Sequence, residues 1–189
     1  MRVANSAKYS PDDVETVAHE IRKILGSREN ASHFRIASEA FEFNMFARDS
    51  IQLQAQKEKL EKSGFIIKTV KLLDTPPVEL SREDALAQGV QLFNEERFWE
   101  SHEILEQVWR VSTGNEKDTL QSLILTAAAF VHYQKGEPEI CLSVLGRARK
   151  KLSSNAVLPR LDVEMLRKRI DRILGSKKIR LFKLQKSRC

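Results

Sequence analysis

The sequence predicts an α+β protein: a small N-terminal α-β-β-α-β unit, then an all-α unit of two antiparallel helical hairpins followed by a basic helix. Three observations predict it. Apolar residues switch from helical spacing to alternation and back before Leu73. From Ser81 onward the spacing is helical throughout. Between these regions Asp74-Thr75-Pro76-Pro77 breaks both patterns, which divides the chain into 1–75, 78–175 and a basic tail over 176–189.

The first helix opens at Ser10-Pro11-Asp12-Asp13, with a capping residue, a proline suited to the first turn, and acids that favour a helix N-terminus. Val14, Val17, Ala18, Ile21, Ile24 and Leu25 then recur on one face, and Gly26 ends it. Over Glu39 to Ala47 the residues Phe41, Phe43 and Met45 alternate with Glu42, Asn44 and Phe46, so a strand is expected, with a short one before it at His33 to Ile36. Asp49-Ser50 caps a second helix that stops at Gly64, and Phe65 to Leu73 is expected as a last strand. Packing this small antiparallel sheet requires helices on one face.

In the second half, Ser81 caps a helix with Asp84 at the third position. Helices are expected over Phe98 to Val111, Asp118 to Lys135, Glu139 to Leu152 and Asp162 to Leu174, with turns at Gly114-Asn115 and Gly136-Glu137-Pro138 and a stop at Gly175. The third of these helices is apolar nearly all round, so it belongs at the centre. Small residues Gly89 and Ala128 fall where helices would approach closely.

Hydrophobic content of 41% with 31% charged residues supports a packed core and excludes wholesale disorder. No apolar run approaches the roughly 20 residues that span a bilayer. The first residues lack the apolar stretch of a secretory signal, so a cytoplasmic protein without a membrane partner is expected. Cys141 and Cys189 form neither a disulfide framework nor a metal-type spacing. Charge is uneven within the net +6. Residues 146–189 carry 15 Lys and Arg against 3 Asp and Glu, whereas residues 1–145 carry 17 against 23. A basic end on an acidic body points to an anionic partner, either nucleic acid or an acidic protein.

Three stretches share a pattern: Leu92-Phe93-Asn94; Phe98-Trp99-Glu100-Ser101-His102-Glu103 continuing to Trp109-Arg110; and Gln121 to Ile124 with Ala127-Ala128-Ala129 and His132. Over about Ser81 to Leu152 the chain thereby resembles the family catalogued as domain of unknown function 309. Ser122 stands where members usually carry Gly, and Gly136-Glu137 where they often carry Gly-Asn. The resemblance implies an all-helical fold for this half and supplies no activity.

A helical wheel places Phe98, His102, Leu105 and Trp109 on one stripe, with Glu106 at its border. On the next long helix Gln121, Leu125, Ala128 and His132 share a stripe. Packing by these stripes would make His102, Glu106, Gln121 and His132 converge. Such a cluster either fixes helix register as a satisfied hydrogen-bond network or forms a pocket. In the pocket reading His102, Glu106 and His132 are the candidate catalytic residues, with Glu106 orienting His102 for proton transfer. The same three are also the weak candidates for a metal, and no cofactor is expected. Asn94, Glu100, Glu103, Trp109, Arg110 and Gln121 are the candidate binding residues around it, and Lys177, Lys178 and Arg180 those of the tail. The aromatics also suit a core, and the charges a solvated helix surface. Two functions follow. The favoured one is a non-enzymatic helical binding module contacting nucleic acid through its basic C-terminus. The alternative is a small hydrolase or acid/base enzyme with a His-Glu-His pocket.

Overall fold

A computed structural model describes residues 1–73, 80–153, 156–159 and 161–185, the side chain of Arg28 excepted. The expected boundary at Asp74 to Pro77 lies outside the described residues, as do Arg160, Lys186, Arg188 and Cys189. The chain is α+β and divides into two compact units, Met1–Pro77 with Gln134–Gly136, and Val78–Tyr133 with Glu137–Cys189.

The first unit begins with a strand, β1 (Arg2–Ala4), that the sequence pattern did not reveal. Three residues are too few to show alternation, yet Val3 is fully buried. Then follow α1 (Val14–Leu25), β2 (Ala31–Ile36), β3 (Ala40–Met45), α2 (Ser50–Lys62) and β4 (Ile67–Thr69), so the order is β-α-β-β-α-β. The sheet order is β2-β3-β1-β4 with antiparallel neighbours. β1 therefore sits inside the sheet, with Val3 opposite Phe41 on one side and Ile67 on the other. The expected strand over Phe65 to Leu73 shrinks to β4, whose ladder partner is the three-residue β1. Beyond it Leu72 and Leu73 are exposed.

Pairing of β2 with β3 slips between Ser32 and Arg35, where His33 takes φ 55°. A bulge with a left-handed residue absorbs the slip. Val17, Ala18, Ile21 and Leu25 of α1 and Leu60 of α2 bury against Phe34, Ile36, Phe41 and Phe43. The alternate residue Glu42 meets Arg2 at 3.6 Å and Arg35 at 3.5 Å instead. At the start of α1 the Asp13 carboxylate accepts from the Ser10 amide at 2.7 Å and from its hydroxyl at 2.8 Å, and these bonds hold its pKa below the usual value.

The second unit holds α3 (Arg82–Asn94), α4 (Phe98–Val111), α5 (Gly114–Gln134), α6 (Pro138–Lys151) and α7 (Val163–Ser176). Two expected boundaries move. Gly114 keeps the left-handed φ of 57° that a turn uses, yet α5 starts there rather than at the expected Asp118. Gly175 lies within α7, and Lys177 supplies the left-handed end at φ 57°. The close of α5 follows the expected glycine logic. Gly136 takes φ 73° and the Glu137 amide donates back to the His132 carbonyl at 3.0 Å. No helix among the described residues is long and apolar enough to cross a membrane.

One apolar cluster draws on all five helices and on the segment after α7. Phe93, Phe98 and Phe130 are almost fully buried, with Phe93 and Phe98 edge to face at 5.0 Å. The Phe182 ring lies 5.8 Å from Phe93 and 5.4 Å from Phe130. Leu184 is buried beside the same core. Residues 177–185 are thus an extended strap docked on the helices rather than a loose tail.

Gly89 is where α3 meets α4 closely. A Cβ there would stand 2.6 Å from Leu105 Cγ and Cδ2, and the Ser101 hydroxyl donates to the Gly89 carbonyl at 2.8 Å. Gly89→Ala gains about 1 kcal/mol of helix propensity. Overpacking against the fully buried Leu105 costs about 1–3 kcal/mol. The expected net result is a loss of about 1 kcal/mol in urea unfolding, with the double variant Gly89→Ala/Leu105→Ala less destabilised than the sum of the two single changes.

Candidate functional site

Helix α4 carries the expected polar residues because its apolar stripe, Phe98, Leu105 and Val108, faces the core and leaves the flanks half-exposed. His102 sits on such a flank. Its Nε2 is 3.6 Å from Glu106 Oε1, and Glu106 Oε2 is 3.6 Å from Arg110. His102, Glu106 and Arg110 form a polar ladder one turn apart, with the Arg110 side chain 71% exposed. The His102 ring stacks on Trp99 at 5.9 Å with an 11° tilt. Its Nδ1 is screened from solvent and hydrogen-bonds to nothing among the described residues. Trp99 is 43% exposed, so the expectation that it belongs to the core is corrected.

The remaining residues have other partners. Glu100 grips Arg97 through two bonds of 2.7 and 2.8 Å, and this pairing raises the pKa of the guanidinium. Glu103 is exposed. Trp109 lies half-buried with the Lys117 ammonium 4.5 Å above its ring, a cation–π contact. His132 Nδ1 meets Glu137 Oε2 at 2.5 Å, across the turn from α5 to α6. Gln121 faces a pocket with the α6 cations Arg147, Lys150 and Lys151. Asn94 holds the strap, its amide donating to the Leu184 carbonyl at 3.1 Å and its Oδ1 accepting from the Leu184 amide at 2.6 Å. Lys177, Lys178 and Arg180 are exposed at the start of the strap.

The structure therefore keeps the pair His102 and Glu106 and separates the rest of the expected cluster. No hydrogen bond or ion pair among the described residues joins that pair to Gln121 or to His132. Among the described residues no group of three His, Cys, Asp or Glu side chains is placed to hold one metal ion. The physical reason is axial. Phe98 packs on Phe130 at 5.1 Å, and the short link Ser112-Thr113 makes α4 and α5 antiparallel. Moving from Phe98 to His102 and from Phe130 to His132 then runs in opposite directions. At a rise of about 1.5 Å per residue the two imidazoles end roughly 9 Å apart along the axes.

Sequence reasoning missed Glu137 as the His132 partner and Arg97 as the Glu100 partner; Phe182 and Leu184, read there as weak docking residues, pack on the core. The Glu100 pairing had a signal, opposite charges three residues apart at a helix start. Cys141 is a fully buried small residue. Burial pushes its thiol up to about 12, which makes it a poor nucleophile.

Residues 86–144 match the family described as Domain of unknown function (DUF309). The matching segment is less than half of the chain. It runs from within α3 to within α6, inside the span the resemblance suggested. The DUF309 segment thus contains the His102 ladder, the Arg97–Glu100 clamp and the His132–Glu137 pair. α7, the strap and residues Met1–Pro77 lie outside it. No curated protein matches the chain.

The long, half-exposed His102–Glu106 contact predicts that His102→Gln changes stability by less than about 0.5 kcal/mol. Arg97→Ala, which breaks a bidentate pair, is expected to cost about 1 kcal/mol. Urea unfolding of the two variants beside the parent protein checks both.

Proposed function

We propose that the protein is a non-enzymatic helical binding module that contacts nucleic acid through its basic C-terminal region. The observation that carries this reading is how the cations are partnered. Asp171 is engaged by Arg149 at 2.6 Å, Glu164 by Arg167 and Lys168, and Asp118 by Lys151 at 3.2 Å. Arg147, Lys150, Arg172, Lys177, Lys178 and Arg180 are exposed and have no carboxylate partner among the described residues. The elements carrying them are anchored. α7 buries Val163, Leu166, Ile170 and Ile173, and the strap is fixed through Phe182 and Leu184.

Cations held at fixed positions suit the regular charge spacing of a phosphate backbone, and binding then releases counterions. Phe182 packs against the core rings, which leaves little for base stacking, so the contact reads the backbone rather than the sequence. The same reading places the protein in the cytoplasm, where nucleic acid is accessible and a free Cys141 thiol persists.

Anisotropy titration of labelled single-stranded RNA and duplex DNA with the full chain tests the proposal. Reversing Lys177, Lys178 and Arg180 to Glu is expected to weaken binding roughly tenfold or more at about 50 mM salt, with less effect at about 200 mM. Affinity that is undetectable in the parent protein, or unaltered by the reversal, overturns it.

A further inference from the structure

An open pocket of about 520 Å³ lies between the first half of α5 and the last turns of α6. α5 contributes Asp118, Gln121 and Leu125, spaced three and four apart and so on one stripe. α6 contributes Arg147 and, three and four residues on, Lys150 and Lys151, and Ser153 follows them. The charges do not cancel. The Lys151 ammonium is 3.2 Å from the Asp118 carboxylate, which occupies that acid. Arg147 and Lys150 remain exposed without a carboxylate partner among the described residues.

Two neutral donors stand beside them. The Gln121 carboxamide and the Ser153 hydroxyl make no hydrogen bond among the described residues. Leu125 supplies an apolar wall. Lysines in the last turn of a helix also offset its dipole, which accounts for Lys150 and Lys151 in part. That role does not extend to Arg147, a turn earlier, nor to Gln121 on another helix.

We propose that this pocket binds a phosphate group, with Arg147 and Lys150 as its charged partners and Gln121 and Ser153 as neutral donors. A planar guanidinium and a point-charge ammonium with two uncharged donors match the several acceptor oxygens of a phosphate better than they match a single carboxylate. The proposal rests on the nucleic-acid reading where the phosphate is one of a polymer backbone. The same chemistry would also take a free phosphate.

The test separates these sources with the full chain. In the first arm, inorganic phosphate is titrated against chloride of equal ionic strength, and NMR follows the Gln121 side-chain amide and the Lys150 and Ser153 backbone amides. In the second, the labelled single-stranded RNA is titrated. Saturable shifts confined to the pocket are expected in the first arm. Arg147→Gln/Lys150→Gln should abolish them and weaken RNA binding roughly threefold to tenfold. Reversal of Lys177, Lys178 and Arg180 should leave the phosphate shifts in place. Both replaced side chains are exposed, so folding should persist. If the double variant melts early, Gln121→Glu makes the same reading by placing a carboxylate in the pocket.

Saturable phosphate shifts without RNA binding would keep the pocket, assign it to a free phosphorylated ligand, and sink the nucleic-acid reading. Shifts that spread over the surface without saturating, with RNA affinity unchanged in the double variant, would overturn the pocket. The strap then remains the candidate contact if its reversal lowers affinity.

Discussion

Packing of four phenylalanine rings organises the second unit. Phe93 from α3, Phe98 from α4 and Phe130 from α5 meet at centroid separations of 5.0 to 5.8 Å, and Phe182 closes on two of them from the strap. Aromatic pairs of this kind add about 0.5–1.5 kcal/mol beyond the area they bury. Their larger effect is geometric. Contact between Phe98 and Phe130 sets the height at which α4 stands against α5, and so decides which side chains on the two helices can meet. Phe182 commits the basic segment to a path across the core, and Asn94 then reads its backbone at Leu184 from both sides.

Much of this was visible in the chain. Helical spacing, the caps at Ser81 and Asp49 and the glycine stops at Gly26 and Gly136 all correspond to real ends, because each is a local interaction that nearby residues specify. Failures occurred where tertiary context decides. β1 is too short to carry a periodic signal, and its place inside the sheet depends on partners about 40 and 65 residues away. The strap carries Ile179, Leu181, Phe182 and Leu184 among cations, a spacing that keeps neither a helical nor a strand period. At the polar cluster, the His102–Glu106 pair could be read because it lies within one helix. The wheel gives direction around an axis but no height along it, so His132 was assigned to the wrong neighbours.

The electrostatic picture follows from the same division between local and distant contacts. On α4 the polar side chains largely partner one another along the helix: His102 with Glu106, Glu106 with Arg110, and Arg97 with Glu100. Toward the C-terminus the acids run out. Asp162 is used to cap α7, where it accepts from the Met165 amide at 2.8 Å, and Glu164 and Asp171 are taken by nearby cations. The surplus positive charge therefore gathers on α6, α7 and the strap, which largely lie beyond the DUF309 segment. A fixed cationic surface beside the matched helices is what the proposed polyanion contact requires.

All of this requires the strap to be docked. Residue-resolved amide hydrogen exchange on the full chain measures that directly, because the Leu184 amide donates to Asn94 and the Asp162 amide to the Gln185 carbonyl. Slow exchange at Leu184 and Asp162, with the exposed neighbour Lys183 exchanging fast, is the expected result. Leu184 exchanging as freely as Lys183 would show an undocked segment and contradict the fixed cationic surface.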